Sequence, residues 1–480
     1  MLKALIFAAD AVSPDYILDK RELFPNLNRM IEEGASARYS TYVQKGYEGS
    51  YSSEQNWASI YTGLTPREHG ITTCNIRGEM RRPEMRDFGN LQPFWKVLND
   101  NGLSVGLWAA DNCVAPSPIN GYAVSCKYEM IETPIQNREA PRTIQLCEKD
   151  QYLAAYLGSG PPPRRYPKTL LQQGYTFEQL KRDADLAEEA VAKYHFQDSL
   201  ENLEAELNYF INAMIRVQRE HPVDALFFYT VTTDLIAHCC LCCEDNDVLI
   251  AAYKLMDKYL GKLIEEVNPE IIVFLSDHGQ QNFKDLIKCS NIDVQREAFA
   301  ARDEVLWLKN GYIAFEAHNG ALLFTAHALK GTFIASGKGI KRTSVNEMRS
   351  LDFYPTLLEM LNIKIPENRS GYVVDIFNKP VANSNKLLNP DIIKHKSIAL
   401  LQCHAVNLMD IFINELYIEN RFADITIVGE LKYEEIFLNN PRITGFISFD
   451  RFDAASFDEV YCGFYNENSK VIRHIRICGG

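Results

Sequence analysis

The chain is short of everything that would hold a polyanionic polymer or enter a membrane. Its 50 Lys and Arg are outnumbered by 63 Asp and Glu, leaving a formal net charge of −13. Nucleic-acid binding needs clustered cations, so no nucleic-acid polymer is expected as a partner. A small phosphorylated ligand is still admissible, because bound metal ions can dominate a local field. No window approaches the ~20 apolar residues of a membrane span, so no membrane partner is expected either. The opening MLKALIFAAD has too short an apolar run for a secretory leader and meets an acid at once, which sets the expected location as cytoplasmic. Twelve cysteines in 480 residues are too sparse for a disulfide scaffold, and no C-x-x-C pair has a matching partner pair. Reduced thiols are the simplest expectation. The Cys239–Cys243 run suits small apolar filler better than a zinc site, since adjacent cysteines on one turn do not converge on one ion.

What the chain does have is a series of apolar runs separated by helical segments. The length admits two or three domains, or one large domain with insertions. LKALIFAAD (2–10), LSVGLWAAD (103–111), DALFFYTVTTD (224–234), EIIVFLSDHG (270–279) and GTFIASG (331–337) have the length and β-branched content of buried strands. FPNLNRMIEEGA suits a helix ending near Gly34, and residues 349–363 suit a closing amphipathic helix. The expected fold is α/β: a mainly parallel central sheet with helices on both faces. Residues 115–222 form an insertion, turn-rich at GSGPPPRRYP and helical from about residue 176, expected as a helical cap. Residues 1–380 would be the main domain and 381–393 a linker. Residues 394–480 restart a βαβαβ pattern, a small Rossmann-like unit of unknown role. It carries no G-x-G-x-x-G, so dinucleotide binding is unsupported.

Three of the strands end on acids. The first ends at Asp10, the third at Asp234 with His238 four positions on, and the fourth at Asp277 and His278. His327 precedes the fifth. Parallel strands would bring these ends to one rim, where α/β sheets bind ligands. Three carboxylates converging there are unfavourable unless cations join them. Imidazole and carboxylate ligands suit zinc, with manganese or iron as competitors. The stretch YSSEQNWASIYTGLTPREHGI (51–71) supplies a serine at a short helical segment. Such a serine is either a helix N-cap or, beside a divalent ion, a nucleophile for phosphorus. His69 suits a structural role under that helix.

Taken together these pieces resemble the alkaline phosphatase superfamily, within it the nucleotide pyrophosphatase/phosphodiesterase branch. The first-strand aspartate, SEQNWASIYTGLTPREHGI, TDLIAH, LSDHG, the histidine ahead of GTFIASGKGIK and LDFYPTLLEMLNIKIPE occur in the family order over residues 1 to about 378. The resemblance implies two divalent ions. Asp10, Ser53, Asp277 and His278 would hold one; Asp234, His238 and His327 would hold the other. Ser53, whose immediate neighbour is Ser52, is the implied nucleophile, and Asn75 the implied phosphate-binding asparagine, one residue further along than usual. Ala11 stands where the family carries a glycine.

The expected activity is therefore metal-dependent hydrolysis of a phosphodiester or pyrophosphate in a small phosphorylated substrate, a nucleotide or another diester. A phosphomonoesterase or phosphomutase of the same superfamily is the enzyme alternative, and a catalytically silent binding protein the alternative from another class. A sulfatase fits less well, because Glu54 and Gln55 follow Ser53. The oligomeric state is not legible.

Overall fold

The structure, a computed structural model, describes residues 2–41, 53–72, 75–76, 88, 90–108, 119–124, 182, 197–240, 247–282, 305–307, 313–316, 322–323, 325–328, 330–345, 348–388, 396–402, 409, 413, 416, 423–438, 440, 442–466 and 471–479. Most of the expected cap, the Cys-rich run beyond Cys240 and much of the tail's first helix lie outside these residues. Among the described residues no helix is long and apolar enough to cross a membrane.

In chain order the first unit runs β1 (Ala4–Ala9), α1 (Pro14–Ile17), α2 (Pro25–Glu33), β2 (Ala35–Ser40), α3 (Ser53–Thr62) and α4 (Pro66–His69). A two-strand ribbon follows, β3 (Ile71–Thr72) with β4 (Asn75–Ile76), then α5 (Phe94–Asp100), β5 (Val105–Trp108) and β6 (Gly121–Val124). Next come α6 (Gln197–Glu220), β7 (Ala225–Thr230), α7 (Thr232–Cys240), α8 (Asp247–Val267), β8 (Ile271–Leu275) and β9 (Gly279–Asn282). Three short strands, β10 (Val305–Trp307), β11 (Ile313–Glu316) and β12 (Leu322–Leu323), make a small antiparallel sheet. The unit closes with β13 (Thr325–Ala328), β14 (Lys330–Gly337), β15 (Thr343–Val345) and α9 (Phe353–Met360).

Eight strands form the main sheet in the order β15-β2-β14-β8-β1-β7-β5-β6. β1 pairs in parallel with both β7 and β8, as the buried apolar runs require. Its side chains alternate between two cores: Ala4, Ile6 and Ala8 face α3 and α5, while Leu5, Phe7 and Ala9 face α2, α6 and α8. On the second face Phe7 sits edge-on to Phe228, centroids 5.0 Å apart, and stacks on Phe274 at 6.1 Å. Each such ring contributes roughly 2–3 kcal/mol of burial, enough to fix the register of three adjacent strands.

β14 departs from expectation. It runs antiparallel to both β8 and β2, so the sheet is mixed. The reversal follows from the connection: β13 pairs antiparallel with β9 just past the end of β8, so β14 starts at the rim and runs away from it. β2 and β15 went unpredicted, because ASARYS and TSV carry no apolar run. Helix α2 ends before Gly34, but not through a left-handed cap: Gly34 has φ −143°. A Cβ there would lie 2.0 Å from the Ala335 carbonyl oxygen, so the glycine admits β14. At the other end of α2, Asp257 of α8 accepts from the backbone N–H of Asn26 and Leu27, a cap supplied from 230 residues away. The described end of the expected cap is α6, whose apolar face joins α8 on the sheet.

The tail folds into a separate five-stranded sheet. Its strands are β16 (Ser397–Leu401), β17 (Asp424–Gly429), β18 (Ile443–Ser448), β19 (Glu459–Asn466) and β20 (Val471–Gly479), with a short helix α10 (Glu434–Leu438) between β17 and β18. The order is β18-β17-β16-β19-β20, parallel except for β20. The last two strands were not anticipated. Cys462 on β19 is disulfide-bonded, so the expectation of wholly reduced thiols fails at that residue. Part of the expected linker is tied to the first unit: Val373 donates to Lys386, Leu388 to Val373, and the Glu359 carboxylate accepts from Ala382 and Asn383.

Candidate active site

The parallel pairing of β7, β1 and β8 delivers their carboxyl ends to one rim. Asp10 follows β1 directly, its N–H continuing the ladder to the Thr230 carbonyl at 2.9 Å. Asp234 lies in the first turn of α7, which begins two residues after β7. Asp277 and His278 follow β8, and His327 is carried back by β13, beside Gln280 of β9. Asp10, Asp277 and His278 are fully buried, and Asp234 and His327 nearly so.

The ligand atoms converge. His278 Nε2 lies 3.3 Å from Asp10 Oδ1 and 3.1 Å from Asp277 Oδ2. His327 Nε2 lies 3.3 Å from Asp234 Oδ1. The two imidazoles stack with centroids 3.7 Å apart. Two overlapping sets, Asp10–Asp277–His278 and Asp234–His278–His327, each have their ligand atoms within 4.8 Å of one another. His278 Nδ1 can only donate to the Gly279 carbonyl at 2.9 Å, which leaves Nε2 with the lone pair of the neutral ring facing the carboxylates. His238 lies one turn beyond Asp234 on α7, and its side chain is outside the described residues.

Ser53 opens α3. Its Oγ lies 3.0 Å from His278 Nε2 and 3.4 Å from Asp10 Oδ1. Ser52 is outside the described residues. Asn75 is placed as a backbone position only, on β4 paired with Thr72, close in sequence to α4. His69 is buried, accepts the Ile71 N–H at Nδ1 and meets Ser59 Oγ at 3.1 Å, which anchors α3 from below.

Burial first and the Asp234 charge second push the Asp10 pKa up to about 6, against the opposing pull of Asp277, Tyr229 and His327. Burial together with Asp10 and Asp234 pushes Asp277 well above the usual carboxylate range. Asp277 Oδ2 makes no hydrogen bond despite complete burial. A fully buried carboxylate oxygen of this kind, beside the His278 nitrogen and the Asp10 carboxylate, fits a divalent cation in both charge and donor type.

Several residues that hold this cluster escaped sequence reasoning. Trp57 Nε1 donates to Asp10 Oδ2 at 3.2 Å and Tyr229 Oη at 2.5 Å, so two side chains of core appearance orient the first acid. Gln280 Nε2 donates to Asp234 Oδ1 at 2.6 Å. Thr41 Oγ1 and Asn56 Nδ2 both donate to the Asp277 carbonyl, which fixes the end of β8. Only Gln280 had a signal, its place two residues after His278.

Ala11, where the resembling family carries glycine, has φ +58°. Its N–H donates to Asp277 Oδ1 at 3.3 Å and its carbonyl accepts from Tyr253, so the left-handed turn serves the site at a cost of about 1 kcal/mol.

The buried acids and imidazoles at the strand ends of this mixed α/β sheet suit the class that the family match gives, a phosphoric ester hydrolase. The chain belongs to the type I phosphodiesterase / nucleotide pyrophosphatase family, whose model matches residues 4–328. Among solved structures it is similar to murine ectonucleotide pyrophosphatase/phosphodiesterase 5, with 15% identity, 77% of this chain and 97% of that one covered, and a TM-score of 0.44. The human counterpart is 14% identical over 77% and 97%, with a TM-score of 0.42. A variant of the alkaline phosphatase PafA is 12% identical over 79% and 99%, with a TM-score of 0.44. No curated protein matches.

Proposed function

We propose that the protein hydrolyses a phosphodiester or pyrophosphate bond of a small substrate, a nucleotide being the first candidate from the family, with Ser53 as nucleophile. The observation that carries this reading is Ser53 Oγ, 3.0 Å from His278 Nε2 and 3.4 Å from Asp10 Oδ1 at the start of α3. Asp10, Ser53, Asp277 and His278 would hold one divalent ion, and Asp234, His238 and His327 a second, with zinc preferred and manganese the alternative. When bound, such ions oppose charge on the phosphoryl oxygens and lower the pKa of a serine hydroxyl or water.

The chain's own residues do the rest. The N-terminus of α3 presents its first backbone N–H groups where a phosphoryl group would approach Ser53. Ser53 Oγ bonds to phosphorus as the bond to the leaving oxygen breaks, its proton passing to solvent while the leaving oxygen takes one up from solvent. Water then breaks the Oγ–P bond, its hydroxyl staying on phosphorus and its proton going to Oγ. Trp57 and Tyr229 keep Asp10 oriented throughout, and Gln280 does the same for Asp234. The test is turnover of a diester and a monoester of one chromogenic phenol, with metal content measured on the same sample. Faster monoester cleavage would transfer the assignment to a phosphomonoesterase, and active protein without divalent metal would end the mechanism.

A further inference from the structure

A cleft of about 770 Å³ opens at the sheet edge formed by β15, β2 and β14. It lies on the face away from α3. Ser36, Arg38 and Ser40 line it, alternating along β2 with Ala35, Ala37 and Tyr39, which belong to the core beneath α3. Strand register sets Lys330 beside Ser40 and Ser344 beside Ser36, which makes one polar floor. Arg21 and Asp19 stand on one wall and Arg342 with Thr343 on the other.

The charge of this cleft runs against that of the chain. Four cations line it in a protein of net charge −13. Asp19 is the one carboxylate among the lining residues, and together with Asp15 it is taken up by Arg38. Among the described residues Arg21, Lys330 and Arg342 make no salt bridge, and Asp15, bound by Arg38, reaches Lys330 only through its field. Burial and the nearby positive charges of Arg442 and Arg38 pull the Lys330 ammonium below the usual lysine range. Unbalanced cations gathered at a concave surface are stabilised by an anion.

We propose that this cleft binds a small phosphorylated anion, at a site distinct from the strand-end cluster. The volume lies within the range of small-molecule sites. Guanidinium forks from Arg21 and Arg342, the Lys330 ammonium and the hydroxyls of Ser36, Ser40 and Thr343 are donors suited to phosphoryl oxygens. The cluster cannot supply this binding, because its acids repel an anion unless cations are present.

The test is calorimetric titration of the full chain with inorganic phosphate, in excess chelator and at low chloride. Chelation silences phosphate held by metal ions at the strand ends. The expected result is one saturable event, unchanged by Ser53→Ala and weakened about tenfold or more by Arg21→Glu with Arg342→Glu. Both arginines are exposed, and the melting curve of the double variant reports on its fold. Should that variant not fold, Arg342→Ala carries the same test with a loss of about threefold. No saturable uptake by the chelated protein, or uptake indifferent to these substitutions, overturns the proposal. Both outcomes are independent of whether Ser53 is the nucleophile.

Discussion

At the carboxyl end of β1 the chain places Asp10, fully buried, and at the end of β8 Asp277 and His278, equally buried. At the carboxyl end of β16, the central strand of the second sheet, it places Gln402, whose side chain accepts the Glu430 N–H after β17 at 3.0 Å. Both sheets have parallel strands and order reversals that open a crevice. In the first, the strand ends carry acids and imidazoles that cannot satisfy one another. In the second, the groups at the ends of β16 and β17, Gln402 and the Glu430 N–H, satisfy each other. The difference teaches that parallel topology supplies a position, and that uncompensated chemistry at the position makes a site.

The sharpest way to break this comparison is at Ser53. Ser53→Ala should lower turnover by about 10³-fold or more while the melting temperature and most bound metal are retained, as metal analysis of the same sample checks. Retained turnover would move the nucleophile elsewhere, Ser52 first.

Packing sharpens it next. A Cβ on Gly34 would meet a backbone oxygen of β14 at 2.0 Å, whereas one on Gly429 meets only the Gln402 side chain, its Oε1 at 2.3 Å and its Cβ at 3.2 Å. Urea unfolding should show Gly34→Ala destabilised by about 3 kcal/mol or more and Gly429→Ala by less, about 1–2 kcal/mol, since it displaces the Gln402 oxygen from the Glu430 N–H. Equal losses would deny the difference in rigidity.

The acids of the first sheet should also show in the pH dependence of the chelated protein. The Asp10 pKa of about 6 lies above its ordinary value of 3.8. Between those values the native state holds more protons than the unfolded chain. Stability is therefore greatest below about pH 4 for this group and is lost as pH rises through about 6, on the order of 2–3 kcal/mol. Denaturant midpoints at a series of pH values measure it, and restoring divalent metal should abolish or reverse the trend.

A smaller effect is expected at Ala11. Ala11→Gly relieves a left-handed backbone but gains unfolded-state entropy, so stability should change by less than about 1 kcal/mol, in the upward direction. The smallest effect tests the second sheet itself. Because residues 382–388 bond back to the first unit, we place the boundary after Leu388. A chain ending there should keep its rate on small diesters within about twofold. Lost metal or unfolding would make the second sheet part of the hydrolase.

Much of this was legible in advance because buried strands need unbroken apolar residues, and a parallel rim turns their final acids into neighbours. Asp10, Asp234 and Asp277 were found by that logic. β2 and β15 were not, since ASARYS and TSV are built of small and polar residues with no apolar run, although β2 is buried between β15 and β14. Trp57 and Tyr229 were invisible as acid-orienting groups, because an aromatic ring needed by the core looks the same whether or not its polar atom meets Asp10.

By itself the sequence determined the α/β class, the strands that end in acids, the position of the serine and the family, since each depends on local composition and order along the chain. The tertiary structure alone decided that β14 runs backward and so starts at the rim just after His327. It also decided that Ser53 Oγ stands 3.0 Å from His278 Nε2 across 225 residues, and that Arg21, Lys330 and Arg342 share one cleft. Distances between remote residues are set by which sheets pair and which faces pack. No local property of the chain encodes that choice.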